Sequence, residues 1–291
     1  GVPGTHLFLY PGEQIRTPLM SLLFFHKANT IDGHNKFRRF VVAHATPKAY
    51  FDAKDQLWSG SFNIAAPAPC SYYTCMNEEE ALMFVHRYER FHIVPDIFWL
   101  DAGWYRGCSL EDGSPRYDLP KMMHNSNWSA YVGNWEVDAS RFPNGFKPIS
   151  DEIHRLGAKF LVWFEPERVR PNTEIAIEHP EWCLHTSKFD HTYLFDMGNP
   201  EARDWMAKRI GNIMEENGID YYRQDCNTEL TAFWQDNDAP DRQGIHEIRH
   251  IEGLYAFWDQ LRQRFPDMLI DNCAGGGRRV DLESLRRSVL F

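Results

Sequence analysis

Short apolar runs alternate along this chain with longer stretches whose apolar residues recur at helical spacing. The run KFLVWF, 159–164, follows a helix expected from about Lys147 to Leu156 and closed by Gly157. DIFWLDAGWY, Asp96 to Tyr105, reads as an apolar strand ending in an acid and a Gly-Trp turn. Before it, Asn77 caps a helix from Glu78 to about Phe91, with three glutamates in its first turn. Asn199 caps another helix, with Pro200 at its first position, that runs to Asn217; Gly218 then leads into a strand at 219–224. A long helix from about His246 to Arg264 stops before Pro266 and feeds a strand at 268–272. With a first strand at 71–76 and a start at 289, the strands number five and a fraction, each followed by a helix. This repeat predicts an α/β fold, a (β/α)8 TIM-type barrel that is incomplete in this chain.

The N-terminal stretch differs. THLFLY, a turn at Pro11-Gly12 and the extended apolar run RTPLMSLLFF read as the last strands of a β-rich unit over 1–30. Ile31, Phe37, Phe40 and Val41 then fall at helical spacing, so 31–68 is expected to be a connecting helix and a Pro/Ala-rich linker, with the barrel over 69–291. HPEWCLHT and YLFDMGNPEARDW are expected to form a hairpin-like excursion.

Charge narrows the partners: 31 basic against 41 acidic residues give a formal −10, which argues against nucleic acid or an anionic membrane as partner. Aromatic content of 14% suits either a sugar-stacking site or an aromatic core. The six cysteines show neither metal spacing nor a disulfide framework, and no metal and no organic cofactor are expected. No stretch reads as a membrane span or a signal peptide, which points to the cytoplasm. Homo-oligomer formation stays open.

In a parallel barrel the chemistry gathers at the C-terminal ends of the strands. Asp101 and Trp104 fall there after one strand, Glu165 and Glu167 after another, and Arg223, Asp225 and Asn227 after a third. Asp225 is the candidate nucleophile, and Arg223, two residues away, its candidate charge partner. On that segment alone, a structural salt bridge between the two accounts for the pattern better than catalysis does. Asp101 reads equally as a turn cap, Trp104 as a core lid, and the two glutamates as rim charge structure. AGGGRR allows close backbone approach to a ligand but matches neither phosphate-binding glycine pattern.

Taken together, LDAGWY, the block NWEVDASRFPNGFKPISDEIHRLGAKFLVWFEPERV, HPEW, LFDMGNPEARDW and RFPDMLIDNCAGGGRRVD resemble, in order, the motifs of glycoside hydrolase family 36, the α-galactosidase or melibiase group. LYPGEQIRTPLMSLLF likewise resembles the end of that family's N-terminal β-sandwich. The resemblance implies a retaining, exo-acting hydrolase of terminal α-linked galactose in oligosaccharides of the melibiose and raffinose type. It places the nucleophile on Asp225 and substrate-binding roles on Asp101, Trp104, Trp135, Arg223, Asn227, Cys273, Gly275 and Gly276. Arg223 stands where the family has Lys, and Ala102 stands where it has a second acid that binds galactose hydroxyls. The family's general acid/base Asp belongs on the strand that begins at Val289 and is not among these residues, so the 291 residues alone are expected to be inactive. Two alternatives follow from Ala102 and Arg223. One is a related hydrolase acting on an α-N-acetylgalactosaminide or arabinopyranoside, and the other a carbohydrate-binding pseudoenzyme.

Overall fold

The computed structural model describes residues 4–26, 29–48, 50, 57–61, 76–107 and 127–289. In chain order the strands are β1 (His6–Leu7), β2 (Ser59–Ser61), β3 (Ile97–Leu100), β4 (Lys159–Phe164) and β5 (Arg168–Val169). They continue with β6 (Cys183–Thr186), β7 (Phe189–Phe195), β8 (Tyr221–Gln224), β9 (Arg242–Gln243) and β10 (Ile270–Asn272). One five-stranded sheet runs β2, β3, β4, β8, β10, every neighbour parallel, so its spatial order follows the chain. Helices return the chain between strands, as parallel pairing requires. They span Glu78–Arg90, Lys147–Arg155, Pro200–Asn217 and Ile245–Arg264. Val289 forms a parallel bridge with Asp271 and extends the same order by one place.

The local signals act as their chemistry dictates. Asn77 and Asn199 accept the N–H groups of Glu80 and of Glu201 and Ala202, and Gly218 ends its helix at φ +64°. The excursion after β4 is a three-stranded antiparallel sheet, β5, β7, β6. Packing separates the two faces of the main sheet. Phe98, Leu100, Phe160, Val162, Phe164, Tyr222 and Ile270 bury against Ala81, Val85, Ile149, Ile153, Ile210, Met214, Phe257 and Trp258 of the helices. The opposite face closes on Ile97, Leu161, Tyr221, Leu269 and Val289.

Two expectations change. The strand beside β3 is Ser59–Ser61, inside the stretch read as linker; of the run 71–76, all but Met76 lies outside the described residues. Ser-Gly-Ser carries no apolar alternation. Its place comes from the backbone ladder to β3 and from Asp96, whose carboxylate accepts the Trp58 N–H at 3.0 Å. At the N-terminus only His6–Leu7 is a strand, because Arg242–Gln243 is the pairing partner it meets. RTPLMSLLFF forms none, and its Leu19, Met20, Leu22 and Phe24 are exposed.

Candidate active site

Side chains alternate across a strand, so Ile97, Trp99 and Asp101, then Leu161, Trp163 and Glu165, then Tyr221, Arg223 and Asp225 share the sheet's inner face. Asp225 ends that series just past β8 and is 8% exposed. Four donors converge on its carboxylate. Oδ1 accepts the N–H groups of Cys226 at 2.8 Å and Gly275 at 2.7 Å; Oδ2 accepts Asn227 Nδ2 at 2.7 Å and Trp163 Nε1 at 3.2 Å. Burial opposes the charge, but the bonds from Gly275, Asn227, Trp163 and Cys226 outweigh it and hold the carboxyl below its ordinary range. An ionised, rigidly oriented carboxylate at a barrel rim is what nucleophilic attack requires.

Arg223 pairs with a different carboxylate from the one its spacing suggested. It forms an ion pair with Asp271 on the neighbouring strand, directly opposite in register, and lies over the Trp99 ring at 4.4 Å. A cross-strand partner is nearer to a strand side chain than a residue two places along the same strand. Asp101 also reaches this rim. Burial raises its carboxyl, while the Ala102 N–H at 2.7 Å and the Arg223 charge pull the other way. Cys273 sits beside Asp225, its thiol pushed up by burial. Gly275 and Gly276 follow it at φ +62° and +92°; a Cβ on Gly276 would meet nothing within 4 Å, so the backbone there is open to a ligand. The rim therefore gathers Asp101, Arg223, Asp225, Asn227, Cys273, Gly275 and Gly276.

Trp104 and Trp135 lie elsewhere. Each is 1% exposed, and they pack on one another and on Phe164 behind the rim. Neither presents a ring face to the cleft, which corrects their expected sugar contact: their aromatic surface is spent on core packing. They act on the site through Trp163. Trp104 Nε1 donates to the Trp163 carbonyl at 2.9 Å, and the Trp135 ring packs tilted against the Trp163 ring. Trp163 itself was not singled out from the sequence, although its place in the period-two series Leu161, Trp163, Glu165 was the available signal.

Glu165 and Glu167 are both fully buried and paired as rim charge structure. Glu165 pairs with Arg168 and accepts the Asn227 N–H; Glu167 pairs with Arg279 and His250. Among the described residues no group of three or more His, Cys, Asp or Glu side chains could hold a metal ion, and no helix is long and apolar enough to cross a membrane.

The Melibiase family model matches residues 76–288. The chain is 33% identical to the α-galactosidase AgaA of Geobacillus stearothermophilus over 279 residues, covering 94% of this chain and 34% of that protein. The solved α-galactosidase of Lactobacillus brevis superposes with a TM-score of 0.64 at 28% identity, over 82% of this chain and 29% of the other. A variant of AgaA solved with raffinose gives the same TM-score at 26% identity, over 82% of this chain and 30% of the other. The chain spans only 27% to 36% of the length of such curated relatives. By the family-model match over most of its length and its identity to AgaA, with a sheet order to fit, the chain belongs to the melibiase family, glycoside hydrolase family 36.

Proposed function

We propose that the protein carrying this chain is a retaining, exo-acting α-galactosidase that cleaves terminal α-linked galactose from raffinose-type oligosaccharides, with Asp225 as nucleophile. The observation that carries the reading is the setting of Asp225, an inward carboxylate at a barrel strand's C-terminal end kept ionised by four fixed donors. In the first step a carboxylate oxygen bonds to the anomeric carbon as the glycosidic C–O bond breaks, and the leaving oxygen takes a proton from a carboxylic acid. Water then attacks the same carbon, gives its proton to that residue and releases Asp225, so the configuration is retained.

Asp101 and Cys273 are read as contacts to sugar hydroxyls, with Asn227 and the open backbone at Gly275 and Gly276 beside them. Arg223, held by its ion pair with Asp271, lies beneath the sugar. In the family pattern the acid belongs to the strand beginning at Val289. The parallel bridge of Val289 to β10 supports this, since that strand would end on the rim next to Cys273. The raffinose complex of the related AgaA variant supports galactose as the sugar.

Ala102 favours a second reading, a hydrolase of another α-linked sugar. Its side chain is 2% exposed within the core, so it offers no acceptor where the family has an acid. Proton NMR of p-nitrophenyl α-galactoside hydrolysis by the full-length protein tests both. α-Galactose as the first-formed product, and at least a thousandfold loss in Asp225→Asn, roughly the effect of deleting a nucleophile, is the expected result. β-Galactose formed first, or an active Asp225→Asn, overturns the mechanism. Turnover confined to an α-N-acetylgalactosaminide or arabinopyranoside establishes the second reading.

A further inference from the structure

Behind the nucleophile lies a buried ionic cluster that the reaction as written does not use. Glu167 is 0% exposed. Its Oε1 accepts His250 Nε2 at 2.8 Å and Arg279 Nη2 at 2.6 Å; its Oε2 accepts Gln224 Nε2 at 2.8 Å and Arg279 Nη1 at 2.7 Å. Gln224, the residue before Asp225, is fixed in turn by Tyr222 Oη at 2.9 Å and Trp258 Nε1 at 2.6 Å. With both carboxylate oxygens doubly engaged by the protein, Glu167 has no capacity left for a ligand.

What the cluster grips is Arg279, two residues beyond an unusual turn. Ala274, Gly275, Gly276 and Gly277 all have positive φ, at 45°, 62°, 92° and 84°, a left-handed turn that an alanine enters only under constraint. One end is tied by the Cys273 N–H to the Gln224 carbonyl at 2.8 Å, the other by Asn272 Nδ2 to the Arg279 carbonyl at 2.8 Å. From the middle of the turn Gly275 donates its N–H to Asp225 Oδ1.

We propose that Glu167 and Arg279 are positioning residues: their two-pronged buried pair holds the left-handed turn in place so that the Gly275 N–H stays on the nucleophile. The proposal rests on Asp225 being that nucleophile. Stability alone does not explain the pair, because buried ion pairs are often matched or bettered by apolar side chains. A preorganised donor on a reacting carboxylate does.

The test is the pH dependence of hydrolysis by the full-length protein, normalised to sites labelled by a covalent galactosyl probe, in Glu167→Gln and Arg279→Lys. Asp101, Glu165, Arg223, Asp271 and Cys273 also face or border Asp225 and are left in place. The sign separates position from field. Removing the Glu167 anion by field alone would lower the pKa of Asp225, whereas loss of the Gly275 bond raises it. Expected in both variants are an acid limb of kcat/KM moved up by about one pH unit, kcat per labelled site down about tenfold, and KM within about twofold. Arg279→Lys, which keeps the cation, serves if Glu167→Gln does not fold. An acid limb that stays, or moves down, overturns the proposal. A wild-type protein that is not labelled at Asp225 overturns instead the assignment on which it rests.

Discussion

Trp163 donates its indole N–H to the carboxylate that carries the proposed chemistry, while its ring is held by Tyr105, Trp128 and Trp135. Replacing it with Phe keeps most of the ring and removes that one donor. A hydrogen bond to a charged group is worth about 1.5–3 kcal/mol, and at 3.2 Å this one belongs near the lower end, so Trp163→Phe is expected to lower kcat/KM roughly tenfold. The pH profile has a definite sign: Asp225 is depressed in the native site, so activity persists below the ordinary carboxylate range and falls as pH drops through its native pKa. In Trp163→Phe that fall comes at higher pH, and an unchanged acid limb would show the indole bond to be idle. At this scale the sequence placed Asp225 at the end of a strand, and it lies just past β8. It misread the partners: Arg223 answers to Asp271, and Trp104 and Trp135 face the core. Strand position shows which way a side chain leaves the backbone, not which cross-strand neighbour it meets.

The four helices between the strands of the main sheet, and β3, β4, β8 and β10 of that sheet, were legible because caps, glycines and apolar spacing all agreed, as at Asn199, Pro200 and Gly218 around Pro200–Asn217. β2 was not, since Ser59–Ser61 contributes backbone pairing and no apolar face. The helix Ile245–Arg264 shows a contact that periodicity hides. Gly253 is buried within it, and a Cβ there would collide with the carbonyl oxygen of Met197. That carbonyl lies in the turn entering Pro200–Asn217, so the glycine sets how closely two helices' connections approach. Although alanine is the better helix former by about 1 kcal/mol, the overpacking costs about 1–3 kcal/mol and backbone cannot swing away as a side chain would. Gly253→Ala is therefore expected to lower the melting temperature of the full-length protein in thermal unfolding followed by circular dichroism. A rise would mean that the turn at Met197 yields freely.

Across the whole molecule the sheet grows strand by strand in chain order, and the bridge of Val289 to Asp271 continues it past β10. The N-terminal stretch is bound to the same body. β1 pairs with β9, and Glu13 accepts from both Arg242 and Arg249. That docking could not be read in advance, because THLFLY carries no mark of a two-residue partner more than two hundred positions away. The barrel class could be read, since five parallel strands separated by helices have few other solutions. All of the function proposed here turns on one atom group, the carboxylate of Asp225. The most direct measurement is mass spectrometry of the full-length protein after incubation with an activity-based α-galactosyl probe that traps the nucleophile covalently. A single label is expected on the peptide containing Asp225, lost in Asp225→Asn; a label on any other carboxylate, with Asp225 unmodified, would contradict its role as nucleophile.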